Sequence, residues 1–147
     1  AELDHDATVK AFDAKVIGPM LLAKHFAPKL PPSGSITLFS GVAAWKPAPG
    51  YSVMGITNGA VSFAVSHLAD ELKPIRVNAI SPGIIDSGTW DAMPEADRSA
   101  FFDGVAGGNL AGRVGAVDDI VDAAEWLLTA GFVSGETIHV EGGARSA

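Results

Sequence analysis

The run Ile75-Arg76-Val77-Asn78-Ala79-Ile80-Ser81-Pro82-Gly83 leaves this chain little choice of fold. Ile75, Val77, Ala79 and Ile80 are β-prone or small, and they lie between Pro74, which stops a helix, and Pro82-Gly83, which stop a strand. That is the pattern of a short strand buried in a parallel sheet. The residues after it, Ile84-Ile85-Asp86-Ser87, form a loop at the strand's carboxyl end, where open α/β sheets collect their ligands. Gly83 there would let a ligand approach the backbone, and Ser87 would supply a hydroxyl at the rim.

The rest of the chain alternates helices with strands. Val9, Phe12, Val16, Met20 and Ala23 recur at helical spacing from Asp6 to about Leu30, and Gly18-Pro19 should disturb the middle of that helix. A turn at Pro31-Pro32-Ser33-Gly34 leads into a strand over Ser35–Ser40 and then a loop rich in Pro and Gly. Ser52–Lys73 reads as a helix with Val61, Val65, Leu68 and Leu72 on one stripe and small residues beside it. After the Ile75–Ile80 strand comes a polar and aromatic segment, Ser87–Gly115, with a helix starting near Pro94. A further helix spans Asp118–Thr129 and a last strand Glu136–Val140, ending at Gly142-Gly143. Strands alternating with long helices imply right-handed crossovers and a parallel sheet.

The chain of 147 residues fits one domain, without an internal repeat or linker. Its charged fraction is 18%, below the roughly 25% of an average soluble domain, so more of its surface should be covered than in a lone monomer. Ten basic against 17 acidic residues give a formal charge of −7, which disfavours nucleic acid and anionic lipid. The absence of cysteine excludes disulfides and thiolate chemistry and fits a cytoplasmic protein. No apolar run is long enough for a membrane span, and Ala1–Asp6 does not read as a signal peptide. His5, His25, His67 and His139 lack the spacing of metal ligands, so no metal site is expected.

Several segments together resemble the short-chain dehydrogenase/reductase family. They are Gly34-Ser35-Ile36 through Ser40-Gly41, Leu68-Ala69-Asp70-Glu71-Leu72, Arg76-Val77-Asn78, Ser81-Pro82-Gly83, Gly112-Arg113-Val114-Gly115, Asp119-Ile120 and Val140-Glu141-Gly142-Gly143. The resemblance implies a Rossmann-like three-layer α/β/α fold with a parallel sheet, NADP or NAD as cofactor, and a small carbonyl or alcohol substrate. It covers the family's C-terminal half only. Residues 1–147 are therefore expected to form a partial domain without the N-terminal phosphate-binding half, its Ile36–Phe39 strand left as a raw edge and paired with the strand that carries Val77. No G-x-G-x-x-G occurs in the chain. The resemblance also implies a homodimer or homotetramer packed through the helices Asp6–Leu30 and Ser52–Lys73, or a separate N-terminal fragment as partner.

The family's reactive residues are replaced. In an ungapped match its serine falls on Gly41, its tyrosine on Met54, its lysine on Asn58, and an assisting asparagine on Lys15. Methionine donates no proton and asparagine carries no charge, so the usual Tyr-x-x-x-Lys device is not present in its usual form. The substitutes are Ser40, as donor to a substrate carbonyl; Tyr51, the one phenol, as acid; and Asn58, as holder of a ribose hydroxyl or a water. Pro82, Gly83, Ile85 and Ser87 are the expected cofactor-binding positions, and Trp90, Met93, Phe101 and Phe102 the lid. Two functions follow: an oxidoreductase with an atypical site, or a catalytically inactive descendant or fragment that serves as a structural or assembly module.

Overall fold

In the computed structural model, which describes residues 3–147, the first helical segment widens where its sequence forbids a regular helix. Asp4 caps helix α1 (His5–Phe12), its Oδ1 accepting from the Ala7 N–H at 2.7 Å. Farther on, Pro19 has no N–H for the carbonyl of Lys15, and in a regular helix its ring would press on that carbonyl. The chain makes a π turn over Asp13–Ile17, in which the Gly18 N–H reaches back to Asp13 O, and resumes as α2 (Gly18–Phe26). The single disturbed helix expected from Asp6 to Leu30 is thus two helices about a wide turn, closed by a 3-10 turn at Ala27–Lys29.

The elements that follow are β1 (Ser35–Phe39), α3 (Ser52–Glu71), β2 (Arg76–Pro82), β3 (Ile85–Asp86), α4 (Glu95–Gly107), β4 (Gly115–Ala116), α5 (Val117–Thr129) and β5 (Thr137–Val140). β1, β2 and β5 form a parallel sheet in that spatial order, and β3 pairs with β4 in a separate parallel ladder. The register sets Ile36 opposite Val77 and Thr37 opposite Asn78, so the strand that carries Val77 is the neighbour of β1. β2 lies between two neighbours and continues to Pro82, two residues beyond the expected end at Ile80, because Pro82 lies opposite Val140 of β5. Among the described residues β1 pairs with β2 alone.

One face of the sheet is covered by Val61, Val65 and Leu68 of α3 together with Ala23 of α2, packed on Leu38, Val77 and Ala79. Each fully buried valine or leucine contributes about 1.5–3 kcal/mol. Strand alternation turns Asn78 to the opposite side. There its Nδ2 donates to Val133 O at 2.9 Å and its Oδ1 accepts from the Glu136 N–H at 3.1 Å, fixing the path from α5 into β5. The Arg76 guanidinium donates to the carbonyls of Leu127, Leu128 and Ala130, closing the carboxyl end of α5. Arg76 and Asn78 are therefore staples between β2 and the C-terminal segment. No helix among the described residues is long and apolar enough to cross a membrane.

Candidate functional site

The three parallel strands end side by side at one edge. The Ser40 N–H donates to Ile80 O at 2.8 Å, and the Gly83 N–H to Val140 O at 3.0 Å. Beyond β2 lies a groove of about 410 Å³ lined by Pro82, Gly83, Ile85, Ser87, Trp90 and Ile120, among others. The four expected binding positions are thus gathered in one concavity. The Ser87 hydroxyl makes one long contact, 3.5 Å to Thr89 Oγ1, and so retains bonding capacity toward the groove. Trp90 is anchored by its Nε1–H on Ile85 O at 2.8 Å, and its ring packs on Phe101 and Phe102 at 4.9 and 6.4 Å between centroids. The three rings, placed in the lid by the sequence reading, thus tie the turn at Trp90 to α4.

Gly83 has a structural reason besides ligand access. A β-carbon there would lie 2.9 Å from Glu141 Cα and 3.2 Å from Glu141 O, so the backbone leaving β5 fills the space that a side chain would need.

The expected reactive residues are not gathered as a unit. Ser40 is buried, and its hydroxyl donates to the Asn58 carbonyl at 2.8 Å while accepting from Ser62 Oγ at 2.9 Å. In this arrangement the one hydroxyl hydrogen joins β1 to α3. Tyr51 is half-exposed at the start of α3 and lines a different concavity, of about 400 Å³, with Ala43, Pro47 and Ile56. It shares no lining residue with the groove of Pro82 and Ser87. Asn58 is buried, with its amide against Gly41: a β-carbon on Gly41 would meet Asn58 Nδ2 at 2.9 Å. Loss of a side chain at position 41 thus makes the room that the Asn58 amide occupies. Its Oδ1 is buried without a hydrogen-bond partner.

Lys15 enters the same place from the π turn, its Nζ donating to Ser40 O at 3.3 Å. Half-buried and stripped of part of its hydration, its ammonium has a pKa below the usual lysine value.

Two clusters carry no role in the sequence analysis although their motifs are visible there. Asp119 takes a bidentate pair from Arg113, at 2.7 Å on each oxygen, and accepts from the Ala116 N–H at 2.7 Å, which holds β4 against the first turn of α5. The hydrogen bonds from Arg113 and Ala116 hold its carboxyl well below the usual carboxylate range. An acid three residues into a helix is the signal for such a contact. The second centres on a buried carboxylate: Glu141 Oε1 accepts from Arg145 Nε at 3.0 Å, with His139 Nδ1 3.9 Å from its other oxygen. Burial, then the nearby Arg145 charge, lowers the His139 pKa in spite of Glu141, so the ring is neutral near pH 7 and its pairing with Glu141 is not ionic. Trp45 meets that ring edge-on at 4.5 Å. Spacing alone would not join residues 45, 139 and 145, since the sheet brings them together.

Residues 1–145 match a family model described as Enoyl-(Acyl carrier protein) reductase. The short-chain dehydrogenase/reductase ucsE of Acremonium sp is 33% identical, over 92% of this chain and 52% of its own length. Dehydrogenase/reductase SDR family member 4 of Homo sapiens is 30% identical, over 93% of this chain and 51% of its own. The chain spans about half the length of the curated relatives it matches. Among solved structures, a small-chain dehydrogenase in complex with NADPH superposes with a TM-score of 0.93 at 36% identity, covering 99% of this chain and 67% of that one.

Proposed function

The chain belongs to the short-chain dehydrogenase/reductase family, and on that premise we propose that it is the substrate-side portion of an NAD(P)-dependent oxidoreductase acting on a carbonyl or alcohol. The observation that carries this reading is the groove in which Pro82, Gly83, Ile85 and Ser87 converge at the carboxyl edge of a parallel sheet. The residues fit one end of the cofactor. Ile85, Val117 and Ile120 offer apolar walls to a flat ring, and the Ser87 hydroxyl has capacity left for an amide or hydroxyl. When bound, a nicotinamide supplies the hydride; the phosphate-gripping turn is found in no segment of this sequence. NADPH is the first cofactor to try, because a superposable relative binds it.

In this reading Pro82 and Gly83 shape the floor of the cofactor's ring end, Ile85 packs against it and Ser87 orients its polar group. Asn58 holds a hydroxyl or water through its unpartnered amide. Tyr51 is the one phenol of the chain, and its separate concavity gives it the weakest link to the reaction. The protein works in a cytoplasmic setting, as the lack of cysteine suggests, and as an oligomer. Leu21, Leu22 and Phe26 on α2, and Ile56 and Phe63 on α3, leave more apolar surface exposed than isolated residues would. Light scattering at low micromolar concentration should give at least a dimeric mass, and a monomeric mass would overturn that assignment.

Titration of the chain with NADPH should raise its melting temperature and shift nicotinamide fluorescence. Absence of both signals would remove the oxidoreductase reading. The second reading, a non-catalytic assembly module, is favoured by Met54 and Gly41 at the reactive positions and by the commitment of the Ser40 hydroxyl inside the fold. Carbonyl turnover that falls on Asn58→Ala or Ser87→Ala would eliminate it.

A further inference from the structure

We propose that Asp119 is a positioning residue of the groove: gripped by Arg113, its carboxylate fixes the joint that sets the two apolar walls of the groove in relation to each other. The inference rests on the proposed function and deepens it by naming what shapes the ring-binding end. β4 (Gly115–Ala116) runs straight into α5 at Val117, with no residue between them. One wall, Ile85, belongs to β3, which pairs with β4 as Ile85 with Gly115 and Asp86 with Ala116. The other wall, Val117 and Ile120, comes from the first turn of α5. Both walls therefore depend on the strand-to-helix joint at Ala116.

Gly115 is the seat of the first wall. A β-carbon there would collide with Ile85 Cδ1, so the isoleucine rests where a side chain at position 115 would be. Asp119 fixes the second wall against that seat. Its Oδ2 accepts from the Ala116 N–H at 2.7 Å, and its two oxygens accept from Arg113 at 2.7 Å each. Arg113 is held in turn by Asn109, whose Nδ2 donates to its carbonyl at 2.8 Å. An exposed ion pair alone contributes little. Here a fork-to-carboxylate pair shares its acceptor with the peptide N–H at the joint, and such charge-assisted bonds fix orientation as well as adding energy. Asp119 and Arg113 line an adjoining cavity of about 260 Å³ and no part of the groove, so they act on a bound ring through the walls alone. Ile85 lines both spaces, and a slackened β4 lets that wall sink toward the adjoining cavity.

The test uses the full 147-residue chain with 13C-labelled isoleucine and valine methyls, as parent and as Asp119→Asn, Arg113→Gln, Arg113→Lys and Gly115→Ala. Without cofactor, the Ile85, Val117 and Ile120 signals should move in Asp119→Asn, Arg113→Gln and Gly115→Ala, while those of Val61, Val65 and Val77 stay in place. With NADPH, affinity should fall at least about tenfold in Asp119→Asn at a temperature where the core signals report a folded chain. Arg113→Lys keeps the charge and loses the fork, and should lie between the parent and Arg113→Gln. Wall signals unmoved in Asp119→Asn, shifts spread through the core, or an affinity within about twofold of the parent would each overturn the proposal. If Asp119→Asn does not fold, Arg113→Gln and Gly115→Ala carry the same comparison. A parent chain that gives no response to NADPH sinks the oxidoreductase reading alone, and the methyl signals still decide what holds the walls.

Discussion

Lys15 Nζ lies 3.3 Å from the carbonyl oxygen of Ser40, a contact between a helix and a strand end 25 positions apart in sequence. The side chain is brought there by a backbone device, the π turn before Pro19, and it loses hydration in the process. That relation sets the first expectation.

Because burial lowers the Lys15 pKa in the folded state below its ordinary 10.5, the unfolded chain binds more protons than the folded one between the two values. The contribution of this lysine to stability is therefore least favourable below its folded pKa and improves as pH climbs toward 10.5. Lys15→Met should be more stable than the parent at pH 7, with the gap closing above about pH 10.5. Urea melts at the two pH values measure it, and a variant less stable at pH 7 would show the Ser40 contact to outweigh desolvation.

Asp119 behaves in the opposite sense to a buried base. Its folded pKa is depressed by the Arg113 and Ala116 hydrogen bonds, so the stability it adds is present above its ordinary 3.8 and lost as pH falls through the lower folded value. Asp119→Asn should lower the melting temperature at pH 7 and lose its disadvantage progressively below about pH 4. Thermal melts across that range check it. An unchanged melting temperature at pH 7 would mean that the helix start is held without this carboxylate.

Gly83→Ala places a β-carbon 2.9 Å from Glu141 Cα, where the contact is backbone and cannot rotate away. The expected loss is about 1–3 kcal/mol by denaturant titration, as for other overpacked sites. A chain of unchanged stability would show that the exits of β2 and β5 separate easily.

Asn78→Ala truncates a fully buried side chain and leaves the part-buried Val133 carbonyl and Glu136 N–H without their side-chain partners. Two broken bonds of this kind should cost about 1–3 kcal/mol or somewhat more. Hydrogen exchange at Glu136 should accelerate with it, and protection retained there would mean that the connection into β5 is held by other contacts.

Strand-and-helix order was legible in the sequence because its signals are local. The Val61, Val65, Leu68 stripe, the Ile36–Phe39 and Val77–Ile80 runs and the Pro and Gly stops each act within a few residues, and the elements formed nearly where those signals put them. The groove was legible for the same reason, since Pro82, Gly83, Ile85 and Ser87 are neighbours in sequence as well as in space. What escaped needed distance. The direction of the Ser40 hydroxyl depends on Asn58 and Ser62 one helix away, and the fit of Gly83 depends on Glu141, 58 positions later. The Gly18-Pro19 disturbance was foreseeable, but not that it would take the form of a wide turn aiming Lys15 inward, which tertiary packing selects.

The tight passing of Gly83 and Glu141 makes one mechanical piece of two distant stretches. Glu141 is held in turn by Arg145, so a molecule wedged under the groove's lip pushes on the chain's last residues as directly as on β2. Occupancy of the groove should then be readable from a probe fixed near Arg145, which lines no part of the groove.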